Sequence, residues 1–146
     1  MKRFIAIAIL TFILFLSGCM NPAVVSVVQD VYEAALVEND VLVETYFSED
    51  YLADHSLEKL SAEMREDVRN REGIKLMNMK EHKERQLTPE VVEMLNEEYD
   101  KDWNFVTVQT SDDRMMIWIV VRGEQRYYII DGKKMDTETF LEDILK

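Results

Sequence analysis

Cysteine is almost missing from the chain: one residue, Cys19, in 146, so no disulfide forms within it and no CxxC or zinc-finger thiolate set exists. Glycine and proline are also scarce, at four and two residues. That leaves no glycine-rich phosphate loop and no flexible linker dividing the chain, whose length suits one domain. Basic residues are outnumbered 17 to 29, for a net charge of −12. Phosphate neutralisation needs a basic face, so nucleic-acid binding is excluded as a partner class. Of long apolar runs there is one, at the N-terminus.

That run begins after Lys2-Arg3 and extends from Phe4 to Leu16, apolar except for Thr11. As a helix its thirteen residues cover roughly 20 Å, short of the roughly 30 Å hydrocarbon core of a bilayer. The pattern reads as the charged n-region and apolar h-region of a signal peptide. It ends in Leu16-Ser17-Gly18-Cys19, which resembles the bacterial lipobox: an aliphatic residue, two small residues, then cysteine. The resemblance implies a signal peptide over residues 1–18 and a diacylglyceryl group on the Cys19 sulfur. It also implies that Cys19, palmitate-type chains attached, becomes the mature N-terminus. Two acyl chains on one residue meet the requirement for stable anchoring that one chain fails. The alternatives are an ordinary secreted protein cut near Gly18 with a free thiol, or an uncleaved anchor. Met20 stands where some Gram-negative lipoproteins carry an inner-membrane-retaining Asp.

Removing residues 1–18 removes Lys2 and Arg3 and no acid, so residues 19–146 carry −14. Only Met20-Asn21 separates Cys19 from Pro22, which holds the domain close to the membrane, with its acidic face expected to point away from anionic lipid.

Within 19–146, Asn21 and Pro22 suit a helix start. Val24, Val28, Val31 and Ala35 then recur at helical spacing to about Glu38. Asn39 suits a left-handed cap, Asp40 a second helix over Val41 to Phe47, and Ser48-Glu49-Asp50 a break. Leu57, Leu60, Met64 and Val68 predict a third helix between Ser56 and Gly73, with Asp67 and Arg71 four apart as an ion pair. Ile74 to Met79 reads as a short strand and Pro89 to Tyr99 as a helix whose Glu90, Glu93, Glu97 and Glu98 face solvent. Phe105–Thr110, Met115–Arg122 and Arg126–Ile130 read as consecutive strands, Asp131-Gly132 as a tight turn, and Thr137–Leu145 as a short amphipathic helix. The expected class is α+β: N-terminal helices packed on one face of a C-terminal antiparallel meander.

The helix order, with Glu38-Asn39-Asp40 followed by Tyr46-Phe47-Ser48-Glu49-Asp50-Tyr51, resembles the cystatin-like cone of the nuclear-transport-factor-two-like superfamily over Val24 to Met135. The resemblance implies a gap between helices and sheet. Enzymes of that superfamily place Asp/His pairs in the cone. No position here matches them, so no catalytic residue is carried over.

Asp54-His55 and Glu81-His82 would make a metal or acid/base site if both imidazoles met, but each lies in a strongly polar stretch and reads as a solvated surface histidine. Asp100, Asp102 and Asn104 alternate like the start of a calcium loop. Phe105 stands where Gly is needed and Ser111 where Glu is needed, so no metal is assigned. Ser17, Ser48, Ser56 and Ser111 lack a G-x-S-x-G context. No cofactor is expected. The aromatics Tyr46, Tyr99, Trp103, Trp118, Tyr127 and Tyr128 fit core packing, or alternatively the lining of a small-ligand pocket.

The expected strand Met115–Arg122 is apolar on both faces, with Met116, Trp118 and Val120 on one side and Met115, Ile117, Ile119 and Val121 on the other. Either helices of the same chain cover both faces, or Ile117, Ile119 and Val121, with Trp118 behind them, form an interface to a second copy or a protein partner. The resulting expectation is a lipid-anchored, extracytoplasmic module that binds without catalysis. Its rival is a small-ligand carrier or small enzyme using a cone-shaped pocket. A pocket with converging Asp, His or Tyr side chains separates the two.

Overall fold

A computed structural model describes residues 22–100 and 102–146; the expected signal peptide, residues 1–18, and Cys19 lie outside the described residues. Helix α1 (Ala23–Leu36) starts at Pro22, whose carbonyl accepts from Val25 N at 2.9 Å and Ser26 N at 3.0 Å. Its valines have weak helix propensity, and the helix is held by burial of Val24, Val25, Val28, Val31, Tyr32, Ala34 and Ala35. The left-handed residue after it is Glu38 (φ 57), not Asn39. Glu38 N donates to Ala35 O and Asn39 N to Ala34 O, a Schellman closure. The one-residue shift frees Asn39 to cap α2 (Asp40–Glu44), its Oδ1 accepting from Leu42 N at 3.1 Å.

Ser48-Glu49-Asp50 is a helix start and not a break. Ser48 Oγ accepts from Tyr51 N at 3.3 Å and the two acids fill the first turn of α3 (Glu49–Asp54). Ser56 caps α4 (Leu57–Asn70) in the expected way, with Leu60, Met64 and Val68 buried. The expected Asp67–Arg71 pair does not form. Arg71 reaches Leu76 O and Asp112 Oδ1 (2.7 Å), while Asp67 turns inward to Lys134.

Ile74–Leu76 is a 3₁₀ turn where a strand was expected; the strand β1 comes later, at Lys80–His82. It pairs with β2 (Trp103–Gln109), β2 with β3 (Arg114–Arg122), and β3 with β4 (Tyr127–Asp136), all antiparallel in the order 1-2-3-4. The β3–β4 turn is at 123–126, closed by Gly123 N to Arg126 O at 2.8 Å. Asp131-Gly132 is therefore not a turn. The register passes from Val120↔Ile129 to Ile119↔Asp131, so Ile130 is the extra residue of a β-bulge and β4 continues beyond it.

The fold is α+β, but helical elements cover both sheet faces instead of one. Helices α1–α4 share a core with Val106, Val108, Met116, Trp118, Val120 and Ile129. On the opposite face, Leu87, α5 (Pro89–Tyr99) through Val91 and Leu95, and the C-terminal segment through Phe140 pack on Trp103, Phe105, Ile117 and Ile119. That segment is a short helical turn, Thr137–Thr139, followed by a π-helical turn, Phe140–Ile144. It is tied down by Thr88 N to Ile144 O at 2.9 Å and Lys146 N to Gln86 O at 3.0 Å. Glu90, Glu93, Glu97 and Glu98 are exposed on the outer side of α5. Among the described residues no helix is long and apolar enough to cross a membrane.

Candidate functional site

The two sheet faces differ in how completely they are filled. Between α3, α4 and the β3–β4 half of the sheet the helices stand off, leaving a cleft of about 220 Å³. Trp118 and Met116 form its floor, with Tyr32 behind them, Tyr51 and His55 one wall, and Asp67, Lys134 and Gly132 the other. Lys59 and Glu63, four apart on α4 and 3.9 Å from each other, stand at the rim.

Gly132 is what lets the floor exist. It faces Trp118 directly across β3–β4, and a Cβ on it would lie 2.2 Å from Trp118 Cζ3 and 2.7 Å from Met116 Cε. Any side chain there displaces the indole. A large ring over a cross-strand glycine is the arrangement that stabilises a strand glycine in a sheet. The indole N–H donates to Tyr32 Oη at 3.4 Å, so the polar edge of each buried ring is engaged. Tyr32 is fully buried, and burial, reinforced by the charge of Asp67, holds its hydroxyl protonated far above the ordinary phenol range.

Tyr51 stacks between Phe47 (centroids 5.3 Å apart) and His55 (3.9 Å) and meets Trp118 edge-on at 6.4 Å. Burial, then Asp131 and Glu63, push its hydroxyl up to about 12. His55 Nδ1 lies 2.8 Å from Tyr51 O, which in the neutral ring puts the proton on Nδ1 and leaves Nε2 as an acceptor. Ser56 is spent on capping α4, its Oγ accepting from Lys59 N.

The charged wall is a cross-element pair. Lys134 Nζ donates to Asp67 Oδ1 at 2.8 Å, with side-chain exposures of 36% and 8%. Burial raises the Asp67 carboxyl above its ordinary range; Lys134 opposes this, and Glu63 and Glu66 add to it. The pair thus stands at the edge of the apolar floor with its acid partly desolvated and its ammonium still reachable.

The sequence-derived interface residues scatter. Ile117 (6% exposed) and Ile119 (5%) are buried under α5 and Phe140, so they form no open surface. Trp118 points the other way, into the cleft, and Val121 is half-buried in a separate groove with Tyr128, Arg126 and Phe47. Of the two alternatives that the alternation left, cover of both faces by helices of the same chain is the one that holds. Cys19 lies outside the described residues.

The histidines do not meet, since His55 is on the cleft side and His82 on the opposite face. His55 is exposed, whereas His82 is buried (5% exposed), which corrects the reading of it as a solvated residue. The Thr107 hydroxyl donates to Lys80 O, so His82 Nε2–H donates to Thr107 Oγ1 at 3.0 Å. The bare Nδ1 has no partner among the described residues, and the ring lies edge-on to Phe105 and Phe140. Burial, then Lys80, lowers its pKa. Asn104 is committed to the sheet, its amide donating to Val120 O at 3.0 Å. Among the described residues no three His, Cys, Asp or Glu side chains converge as metal ligands.

Asp67 with Lys134 and Trp118 with Gly132 escaped sequence reading because they join residues far apart in the chain. The available signal was an acid on the apolar stripe of α4, one helical turn from Met64 and beside Val68. With this geometry in hand, comparison with known proteins gives no match: no family model, no curated protein and no solved structure matches the chain.

Proposed function

We propose that the protein is a membrane-anchored, extracytoplasmic lipoprotein whose domain binds a small ligand in the cleft over Trp118, without catalysis. The anchor reading rests on Lys2-Arg3, the apolar run Phe4–Leu16 and Leu16-Ser17-Gly18-Cys19. Three residue steps from Cys19 to Pro22 reach at most about 11 Å, so α1 begins against the headgroups. The binding reading rests on one observation: Tyr51, the exposed His55 and the Asp67–Lys134 pair line a cleft beneath which Tyr32, Met116 and Trp118 are buried. Apolar lining with a few placed polar groups is the character of small-molecule sites. The cover over Ile117 and Ile119 removes the motive for a partner on the sheet's second face. A cone like that of the nuclear-transport-factor-two-like superfamily would hold a ligand in the same gap.

Two measurements test the two halves. Mass spectrometry of the membrane-extracted protein is expected to show an N-terminus at residue 19 with a diacylglyceryl thioether, and Cys19→Ala to accumulate unmodified precursor. An unmodified Cys19 in the wild type contradicts the anchor. In a Trp103→Phe background, emission from Trp118 is expected to respond to small ligands and to lose that response in Gly132→Ala. A Trp118 signal unmoved across a small-molecule library contradicts the cleft.

A further inference from the structure

We infer that the cleft takes a small zwitterion of the α-amino-acid type with an apolar side chain, an inference that rests on the cleft being the binding site. The charged wall alternates in sign. Lys59, Glu63 and Asp67 follow one another at four-residue steps along α4, and Lys134 arrives from β4 to close on Asp67. Two acids and two lysines sum to zero, in a domain carrying −14 over residues 19–146. A free anion approaching the cleft meets the repulsion of the whole domain, and a free cation is held as well by many other acidic sites on the surface. A molecule carrying both charges close together is neutral to that long-range field. It gains only where an acid and an ammonium stand side by side, as Asp67 and Lys134 do.

The geometry gives each group a place. Lys134 has one donor on Asp67 Oδ1, leaving ammonium protons for a ligand carboxylate. Lys134 Nζ engages Asp67 Oδ1 alone, so Asp67 Oδ2 and the half-exposed Glu63 carboxylate on the same helix face are the acceptors for a ligand ammonium. The rest of the ligand then lies against Tyr51, Leu60 and Met116, the apolar lining side chains that keep some accessible surface, with the buried Trp118 beneath them. The volume limits the size. About 220 Å³ is below the roughly 300 to 1,000 Å³ of sites for drug-sized ligands.

The test is calorimetric titration of the full-length protein, extracted in detergent, with L-phenylalanine, L-leucine, 2-phenylethylamine and 3-phenylpropionate. The two amino acids are expected to bind saturably and each one-charge analogue at least tenfold more weakly. Lys134→Met is expected to weaken L-phenylalanine at least tenfold while leaving 2-phenylethylamine unchanged, with Lys134→Arg retaining binding. Asp67→Asn is expected to do the reverse, sparing 3-phenylpropionate. Glu97→Gln, on the exposed side of α5, is the control for net charge. Circular dichroism of each variant shows whether lost binding reflects lost folding. If an analogue with one charge binds as tightly as L-phenylalanine, the zwitterion inference is overturned and the cleft stands. If none of the four binds, the inference is also overturned. Indole then decides the cleft separately: a Trp118 emission change absent in Gly132→Ala keeps it, and no change removes it.

Discussion

The two faces of the sheet are built from the same strands and end in different states. On the α1–α4 side a large apolar core stops short of closing, and the gap is lined by Tyr32, Tyr51, Trp118 and an ion pair. On the α5 side a smaller core of Leu87, Val91, Leu95, Trp103, Phe105, Ile117, Ile119 and Phe140 closes over a single buried imidazole. At the mouth of the open face His55 and Lys134 are reachable; the closed face buries the His82 ring with its Nδ1 unpartnered among the described residues. Each core polar group costs stability unless partnered, so polar groups kept at an unfilled gap mark a site, whereas His82 marks a tolerated local cost.

The largest expected effect breaks the closed face. Ile119→Lys buries an ammonium among Phe105, Trp103 and Phe140 and is expected to cost about 4 kcal/mol or more, read as loss of the cooperative denaturant transition. A folded, monomer-shifted Ile119→Lys variant would mean that this face is open after all. Next, Gly132→Ala forces a methyl against the Trp118 ring on the open face. A loss of about 1 to 3 kcal/mol is expected from overpacking, together with loss of the cleft. Lys134→Met follows at about 1 to 2 kcal/mol, because Asp67 remains buried without its partner while the lysine was itself one-third exposed.

The smallest effect sharpens the contrast through pH. His82 takes a proton less readily folded than unfolded, and the unfolded imidazole does so near about 6.5. The folded state therefore binds fewer protons. Stability is full above that pH and falls as pH drops below it, with a slope no steeper than about 1.4 kcal/mol per pH unit. His82→Gln is expected to remove that part of the slope between pH 7 and 5 while leaving ligand binding in the cleft unchanged. An unchanged pH profile in the variant would show that the ring is not held neutral.

Much of this contrast was legible locally and little of it at a distance. Met116, Trp118 and Val120 against Ile117 and Ile119 announced a sheet buried on both sides, since a strand with one wet face alternates apolar with polar. Ser56 before Leu57 and Thr88-Pro89 marked the starts of α4 and α5 correctly, because a capping serine and a first-turn proline both act within one turn. Asp131-Gly132 misled because the same dipeptide that favours a tight turn also serves beyond a bulge. Which one forms depends on the register with Ile119 and Val120 across the sheet. The cleft was least legible. Asp67 meets Lys134 across 67 residues, and Gly132 matters only because Trp118 lies over it.

The chain has two tryptophans, and they sit one on each face: Trp118 at the floor of the cleft and Trp103 in the closed core, its N–H donated to Asn96 Oδ1 at 2.9 Å. Fluorine NMR of the full-length protein labelled with 5-fluorotryptophan therefore reads both faces in one spectrum as L-phenylalanine is added. The expected result is a saturable shift of the Trp118 resonance with Trp103 unmoved, abolished by Gly132→Ala. Movement of Trp103 alone, or of neither resonance at saturating ligand, would contradict the placement of an amino-acid site on the open face.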